Sequence, residues 1–310
     1  MNYAIVFPGQ GSQSVGMLVA LGAADADVKA TFATASEVLG YDLWALTQDD
    51  PDGRLATTAV TQPALLTASV AIWRSWQSRD VAPPAVLAGH SLGEYSALVC
   101  AGALDFATAV SLVEQRGQFM QAAVAPGEGA MAAILGLDDD VVIAACADVS
   151  DGVVSAVNFN APGQVVIAGN RASVDAAIDR CKEAGARRAL PLPVSVPSHC
   201  ALMAPAAEQM AERLSSVTLS APQIPVINNV DVATQSDADA IRDALVRQLY
   251  SPVRWVESMR KAGKMGIEAV AECGPGKVLC GLHKRIDRKQ TAVPMEQPED
   301  LDALQAMISQ

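Results

Sequence analysis

Histidine and charge are scarce in this chain. Of its 310 residues 18% are charged and 51% are hydrophobic, a balance that excludes intrinsic disorder, which needs the reverse. Basic residues are the scarcer sign, 22 against 34 acidic ones, for a formal charge of −12. An excess of that size argues against nucleic acid and against anionic membrane surfaces as partners. Long apolar runs are missing too: none approaches the roughly 18 residues that cross a bilayer. The first residues, Met1 to Phe7, lack a basic start and run into a turn at Pro8-Gly9, so no signal peptide is expected and the reading is cytoplasmic. Six cysteines are scattered with no CxxC pair and no His-Cys cluster, which points to reduced, buried thiols and to no metal site. There are no internal repeats. The length suits one large domain, or a large domain with a smaller insert.

What is present is an alternation of short β-rich runs with long helical patterns, the mark of an α/β protein with a mostly parallel sheet. Tyr3 to Phe7 reads as the first strand and Ala85 to Ala88 as a second. Between them Pro63 suits the first turn of a helix carrying Leu65, Ser69, Ile72 and Trp76. Asp105 suits the cap of a helix with Ala109, Val113 and Met120 along one face. Glu268 to Glu272 reads as a strand and Val278 to Ile286 as a helix. Residues 128–196 change rhythm. Strand-like Met131–Leu137, helical Asp138–Val149, strands Val153–Phe159 and Val165–Ala168 about the turn Asn160-Ala161-Pro162-Gly163, helical Ser173–Ala184 and strand-like Arg188–Val194 follow in turn. That order, βαββαβ, predicts a ferredoxin-like subdomain inserted into a core made of 1–127 and 197–310. A cleft between the two is the expected ligand site.

Leu87-Ala88-Gly89-His90-Ser91-Leu92-Gly93-Glu94 contains G-x-S-x-G between a buried strand and a helix. A sharp strand-to-helix turn strains the serine, exposes its hydroxyl and needs small neighbours, so Ser91 is the candidate nucleophile. The N–H of Leu92 then faces any oxyanion formed beside it. A serine needs a base, and only His90, His199 and His283 are available. Alternation at the strand end turns His90 away from Ser91. His283 sits near Leu279 and Ile286, where a packed histidine is expected. His199, in a loop leaving the insert, is the favoured base, with His283 its competitor.

Pro8-Gly9-Gln10-Gly11-Ser12-Gln13-Ser14-Val15-Gly16 looks like a phosphate loop but fails both tests: Ser14 stands where a dinucleotide fingerprint needs glycine, and no GK[ST] follows. Either it brings the N–H of Gln10 to a ligand as a second oxyanion donor, or it is an ordinary connection. Arg116 falls on the apolar stripe of Ala109, Val113 and Met120. Its guanidinium must meet an anion, either a bound carboxylate or a distant structural acid.

These residues carry a resemblance. Phe7-Pro8-Gly9-Gln10-Gly11-Ser12-Gln13, Gly89-His90-Ser91-Leu92-Gly93-Glu94-Tyr95, Arg116-Gly117, Asn158-Phe159-Asn160-Ala161-Pro162-Gly163-Gln164, Ser198-His199 and Glu272-Cys273-Gly274-Pro275-Gly276 resemble the malonyl-CoA:acyl carrier protein transacylase family, in order, from about residue 3 to 286. The resemblance implies an α/β-hydrolase-like core with a ferredoxin-like insert. It implies transfer of a malonyl group from malonyl-CoA to the phosphopantetheine thiol of acyl carrier protein through a malonyl-serine, supplying fatty acid synthesis, with no metal or redox cofactor. By the same resemblance Ser91 is acylated, His199 is the base, Gln10 and Leu92 are oxyanion donors, and Arg116 clamps the malonyl carboxylate. Gln248, in Arg247-Gln248-Leu249-Tyr250-Ser251-Pro252, matches the residue whose backbone carbonyl orients the histidine. The tail past Ile286 matches poorly. Nothing suggests an extended dimer face, so a monomer is expected.

Between Arg254 and Lys289 nine basic residues meet four acidic ones, a net +5 that leaves −17 elsewhere. Lys284 and Arg285 there, with Lys182, Arg187 and Arg188 at the end of the insert, are expected to flank the cleft and receive an acidic carrier protein and CoA phosphates. A rival reading is an esterase or thioesterase with the same elbow and a late histidine, His283. A second rival is a carrier-docking protein with no catalysis and no adduct on Ser91.

Overall fold

The run Tyr3–Phe7 (β1) is buried at all five positions, as a strand must be when helices cover both faces of a parallel sheet. The structure, a computed structural model, describes residues 1–194 and 196–309. After β1 the chain passes through the glycine loop into α1 (Val19–Ala24), α2 (Ala26–Leu39), α3 (Leu43–Gln48) and α4 (Thr58–Gln77), then β2 (Val86–Gly89), α5 (Gly93–Cys100) and α6 (Phe106–Ala122). Asp105 caps α6 as expected, accepting from the Thr108 N–H. Pro63 does not open its helix. Helix α4 begins five residues earlier, and Pro63 lies buried inside it. The early start holds because Gln121 of α6 accepts from the Ala59 N–H at 2.8 Å, and the Thr57 carbonyl takes both Val60 and Thr61. The two helices meet where a Cβ on Gly117 would come within 2.6 Å of the Ala59 Cα. That close approach sets Arg116 beside α4.

Next come β3 (Gly129–Leu135), α7 (Asp139–Ala147), β4 (Val154–Ala161), β5 (Gln164–Asn170), α8 (Arg171–Glu183) and β6 (Arg188–Pro191). Each element lies close to its expected span. The strand β4 runs on to Ala161, leaving Pro162-Gly163 as the turn, and β6 stops at Pro191 rather than Val194. The four strands form one antiparallel sheet ordered β4-β5-β3-β6. One face is covered by α7 and α8 through Ile134, Ile167, Val174 and Ile178. The other carries Met131, Val157, Val166 and Cys200. Strand β4 is bulged, and its Val157 and Phe159 exchange backbone hydrogen bonds with Val253. That seam brings Asn158 to a cavity also lined by Ser91 and His199.

The chain then forms α9 (Ala204–Ser215), β7 (Val226–Ile227), α10 (Ala238–Gln248), α11 (Trp255–Lys264), β8 (Ala269–Glu272), α12 (Val278–Ile286), β9 (Thr291–Pro294) and α13 (Pro298–Ile308). The second sheet is parallel throughout, ordered β7-β2-β1-β8-β9. Strand order reverses about β1, so the loops after β1 and β2 flank a switch point, where α/β sheets place their ligands. The C-terminal tail belongs to this core: β9 is its edge strand, and Met295, Leu301 and Leu304 are fully buried. All six cysteines are buried and free. No helix among the described residues is long and apolar enough to cross a membrane.

The β1–β2 junction leaves no room for side chains. A Cβ on Gly93 would fall 2.1 Å from the Phe7 carbonyl oxygen, and one on Gly89 1.8 Å from the Gly93 carbonyl carbon. Gly93→Ala is therefore expected to lower stability by about 1–3 kcal/mol or more, read from denaturant midpoints. An unchanged midpoint would show that the junction relaxes freely.

Candidate active site

Ser91 sits between β2 and α5 with φ of 51°, a left-handed backbone that costs a non-glycine residue roughly 1–3 kcal/mol. The strain is held by one side chain. Asn229 accepts from the Ser91 N–H at 2.7 Å and donates to the Gly89 carbonyl at 2.6 Å, so it bridges both ends of the turn. Leu92 is the N-cap of α5. A Cβ on Gly9 would strike the His90 carbonyl at 2.7 Å, so the glycine loop lies directly on the elbow and carries Gln10 to the same cavity as Leu92. Neither the Gln10 nor the Leu92 N–H has an acceptor among the described residues. Both are free to meet a developing oxyanion.

The base follows from two short bonds. His199 Nε2 lies 2.7 Å from Ser91 Oγ, and its Nδ1 lies 2.7 Å from the Gln248 carbonyl. Gln248 is the last residue of α10, so its carbonyl has no partner within the helix and sits at the negative end of the dipole. This bond makes Nδ1 the protonated nitrogen and leaves Nε2 to accept from serine. His199 is itself at φ of 68°, anchored by its N–H on the Leu249 carbonyl. Burial first, then the charge of Arg116, lower its pKa to about 3, so the imidazole is neutral and ready to take a proton.

Arg116 is 1% exposed and meets no carboxylate among the described residues. It donates to Gln62 Oε1 at 2.9 Å, to Gln248 Oε1 at 3.0 Å and to Ser91 Oγ at 3.4 Å, and its Nε has no partner. Burial pulls its pKa down, yet a guanidinium keeps its proton. Of the two sequence-level alternatives, a distant structural acid is therefore not what Arg116 meets. The cavity holding these groups measures about 120 Å³. Its apolar lining comes from Met120, Met131, Leu192, Val194 and Val196, and its polar lining includes Ser91, His199 and Arg116. A nucleophile, a neutral base, two free N–H donors and an unpaired cation within one small cavity suit acyl transfer from a substrate bearing an anion.

Comparison with known proteins gives the family. The acyl transferase domain family matches residues 4–303. The malonyl CoA-acyl carrier protein transacylase of Escherichia coli strain K12 is 60% identical over 303 residues, covering 97% of this chain and 98% of that protein. The chain belongs to the malonyl-CoA:acyl carrier protein transacylase family. Solved structures in this family match along the full length. An acyl carrier protein S-malonyltransferase from Vibrio cholerae gives a TM-score of 0.96 at 61% identity, covering 98% of this chain and all of that one. A malonyl-transacylase solved in complex with its type II PKS acyl-carrier protein gives 0.98 at 55% identity, covering 99% of this chain and all of that one.

The other two histidines and the basic docking candidates do not join this constellation, although His90 lines the same cavity. His90 turns away from Ser91, its Nε2 2.8 Å from Asn160 Oδ1. His283 is 1% exposed and bonds Gln290 at 2.9 Å, outside the cavity. Lys182, Arg187, Arg188, Lys284 and Arg285 are all exposed. Lys182 pairs with Asp179 at 3.0 Å, and Arg285 reaches Gln164 and the Pro162 carbonyl on the β4–β5 turn. Sequence reasoning missed Gln62, Asn229 and the carboxylate of Glu94. The Glu94 pKa is pushed up to about 7, chiefly by burial. Its place in the G-x-S-x-G-E run was the only available signal; Gln62 and Asn229 had none.

His199→Ala is expected to slow acylation of Ser91 by about 10²–10⁴-fold, and His283→Ala to leave the rate per folded molecule near wild type. Stopped-flow release of CoA thiol reads both. The reverse pattern would hand the base to His283.

Proposed function

We propose that this chain transfers a malonyl group from malonyl-CoA to the phosphopantetheine thiol of acyl carrier protein, through a malonyl ester on Ser91. The observation that carries the reading is Arg116: a buried cation without a carboxylate, 3.4 Å from a serine already hydrogen-bonded to its base. His199 Nε2 takes the Ser91 proton as Oγ attacks the thioester carbon. The N–H groups of Gln10 and Leu92 hold the oxyanion. The tetrahedral intermediate collapses, the C–S bond breaks, and CoA thiolate leaves with the proton from His199. The carrier's thiol then gives its proton to His199 and attacks the ester. Ser91 leaves with that proton, and malonyl-carrier protein departs. The malonyl carboxylate pairs with Arg116 throughout; an acetyl group would leave the cation alone.

In this reading residues 1–127 and 197–310 are an α/β-hydrolase-like core and 128–196 a ferredoxin-like subdomain. The βαββαβ order and the strand order β4-β5-β3-β6 support the second assignment. The parallel sheet with a strained serine after β2 supports the first. Lys182, Arg187, Arg188, Lys284 and Arg285 are proposed to meet the acidic carrier protein. Arg285 also ties α12 to the β4–β5 turn, so Lys284, exposed and without an acidic partner among the described residues, is the cleaner probe.

Intact-mass measurement after mixing with malonyl-CoA should find one malonyl adduct in the wild type and none in Ser91→Ala. Arg116→Ala should lose about 2–5 kcal/mol of preference for malonyl-CoA over acetyl-CoA, at least ~30-fold. No adduct, or equal labelling by the two thioesters in the wild type, would overturn the reading. Lys284→Glu should raise KM for acyl carrier protein several-fold while leaving KM for malonyl-CoA unchanged; equal effects would remove the docking role.

A further inference from the structure

Glu94 closes the Gly-His-Ser-Leu-Gly-Glu run, yet the transfer just described gives it no task. Its side chain is 3% exposed, too deep for an ordinary surface acid. One oxygen, Oε2, accepts two hydrogen bonds at 2.9 Å, from the Asn229 N–H and from Gln248 Nε2. These are the two residues that hold the reacting groups. Asn229 bridges Ser91 N–H and the Gly89 carbonyl. Gln248 offers its backbone carbonyl to His199, and its side chain lies between Arg116 and Glu94.

The chemistry of that side chain admits one orientation. A guanidinium only donates and a carboxylate only accepts, so the Gln248 amide must turn Oε1 to Arg116 and Nε2 to Glu94. The Ser91 carbonyl, 3.1 Å from Nε2, asks for the same arrangement. A flipped amide would set N–H against N–H on one side and oxygen against oxygen on the other. The buried guanidinium and the buried Glu94 carboxyl group are thus joined through one amide, with no direct ion pair to occupy the guanidinium.

We propose that Glu94 is a positioning residue of the malonyl site: acting through the Gln248 amide it fixes the aim of Arg116, and through Asn229 the backbone of Ser91, without touching substrate. The inference rests on Arg116 being the carboxylate clamp. With Glu94 gone, Gln248 is free to turn its amide, and the guanidinium loses the oxygen that holds its Nη2.

The test compares Ser91 acylation by malonyl-CoA and acetyl-CoA, per folded molecule, in Glu94→Ala, Glu94→Gln, Gln248→Ala, the Glu94→Ala/Gln248→Ala pair and Arg116→Ala. Glu94→Ala should lower the malonyl preference about 10-fold or more, the order expected for one buried hydrogen bond to a charged group. Glu94→Gln, of the same shape with a neutral acceptor, should retain more of the preference and covers the case in which Glu94→Ala does not fold. Gln248→Ala keeps the backbone carbonyl, so the double variant should be no less selective than Gln248→Ala alone. A Glu94→Ala protein that loses thermal stability but keeps the wild-type preference would overturn the proposal, as would additive losses in the double variant. Failure of the underlying reading looks different: Arg116→Ala itself would then keep the malonyl preference.

Discussion

Ser91 is held at φ of 51° in a turn with no room for a Cβ on either flanking glycine, and most of the site follows from that constraint. Gly89 and Gly93 let α5 start directly against the end of β1, where the Phe7 carbonyl lies 2.1 Å from the point a Gly93 Cβ would fill. The same contact presses the glycine loop onto the elbow and carries Gln10 next to Leu92. A left-handed serine persists only where its surroundings over-determine it, and here Asn229 grips the turn at both ends. The strain is local; its support comes from a residue 138 positions further along the chain.

Charge is arranged as sparingly as space. His199 has no carboxylate behind it, only the terminal carbonyl of α10, which fixes the tautomer while supplying little charge to an imidazolium. Arg116 stands close enough to lower the basicity of His199 further. In the proposed reaction a malonyl carboxylate supplies the missing anion, so the substrate itself eases the electrostatic cost of protonating its catalyst. That pairing ties selectivity to rate more closely than a binding pocket alone would.

Much of this was legible in the sequence, unevenly so. Strand β1 and helix α12 were read to the residue, because one is continuously apolar and the other follows a Gly-Pro-Gly break. Helix α4 was read too short, since Pro63 looked like a start signal; a side chain from α6 takes the role of the cap and lets the helix begin earlier. The segment past Ile286 carried no reading of its secondary structure. Its strand, Thr291–Pro294, is polar at one end and closed by a proline at the other, and it is placed by pairing in parallel with β8. Asn229 and Gln62 were invisible for another reason: amides carry no spacing rule, and their partners lie 138 and 54 residues away.

By itself the sequence determined the list of groups able to do chemistry: one serine in a glycine-flanked elbow, three histidines, one arginine on an apolar stripe. It also supplied the family resemblance, which rests on short motifs in order. Only the tertiary structure decided which histidine is within 2.7 Å of Ser91, that a helix-end carbonyl stands in for an acid, and that Arg116 meets Gln62 and Gln248 rather than a carboxylate. The reason is physical. Local backbone chemistry is written in neighbouring residues, whereas a carbonyl at a helix end has no side-chain signature, and contacts between distant segments exist only once the sheets have packed.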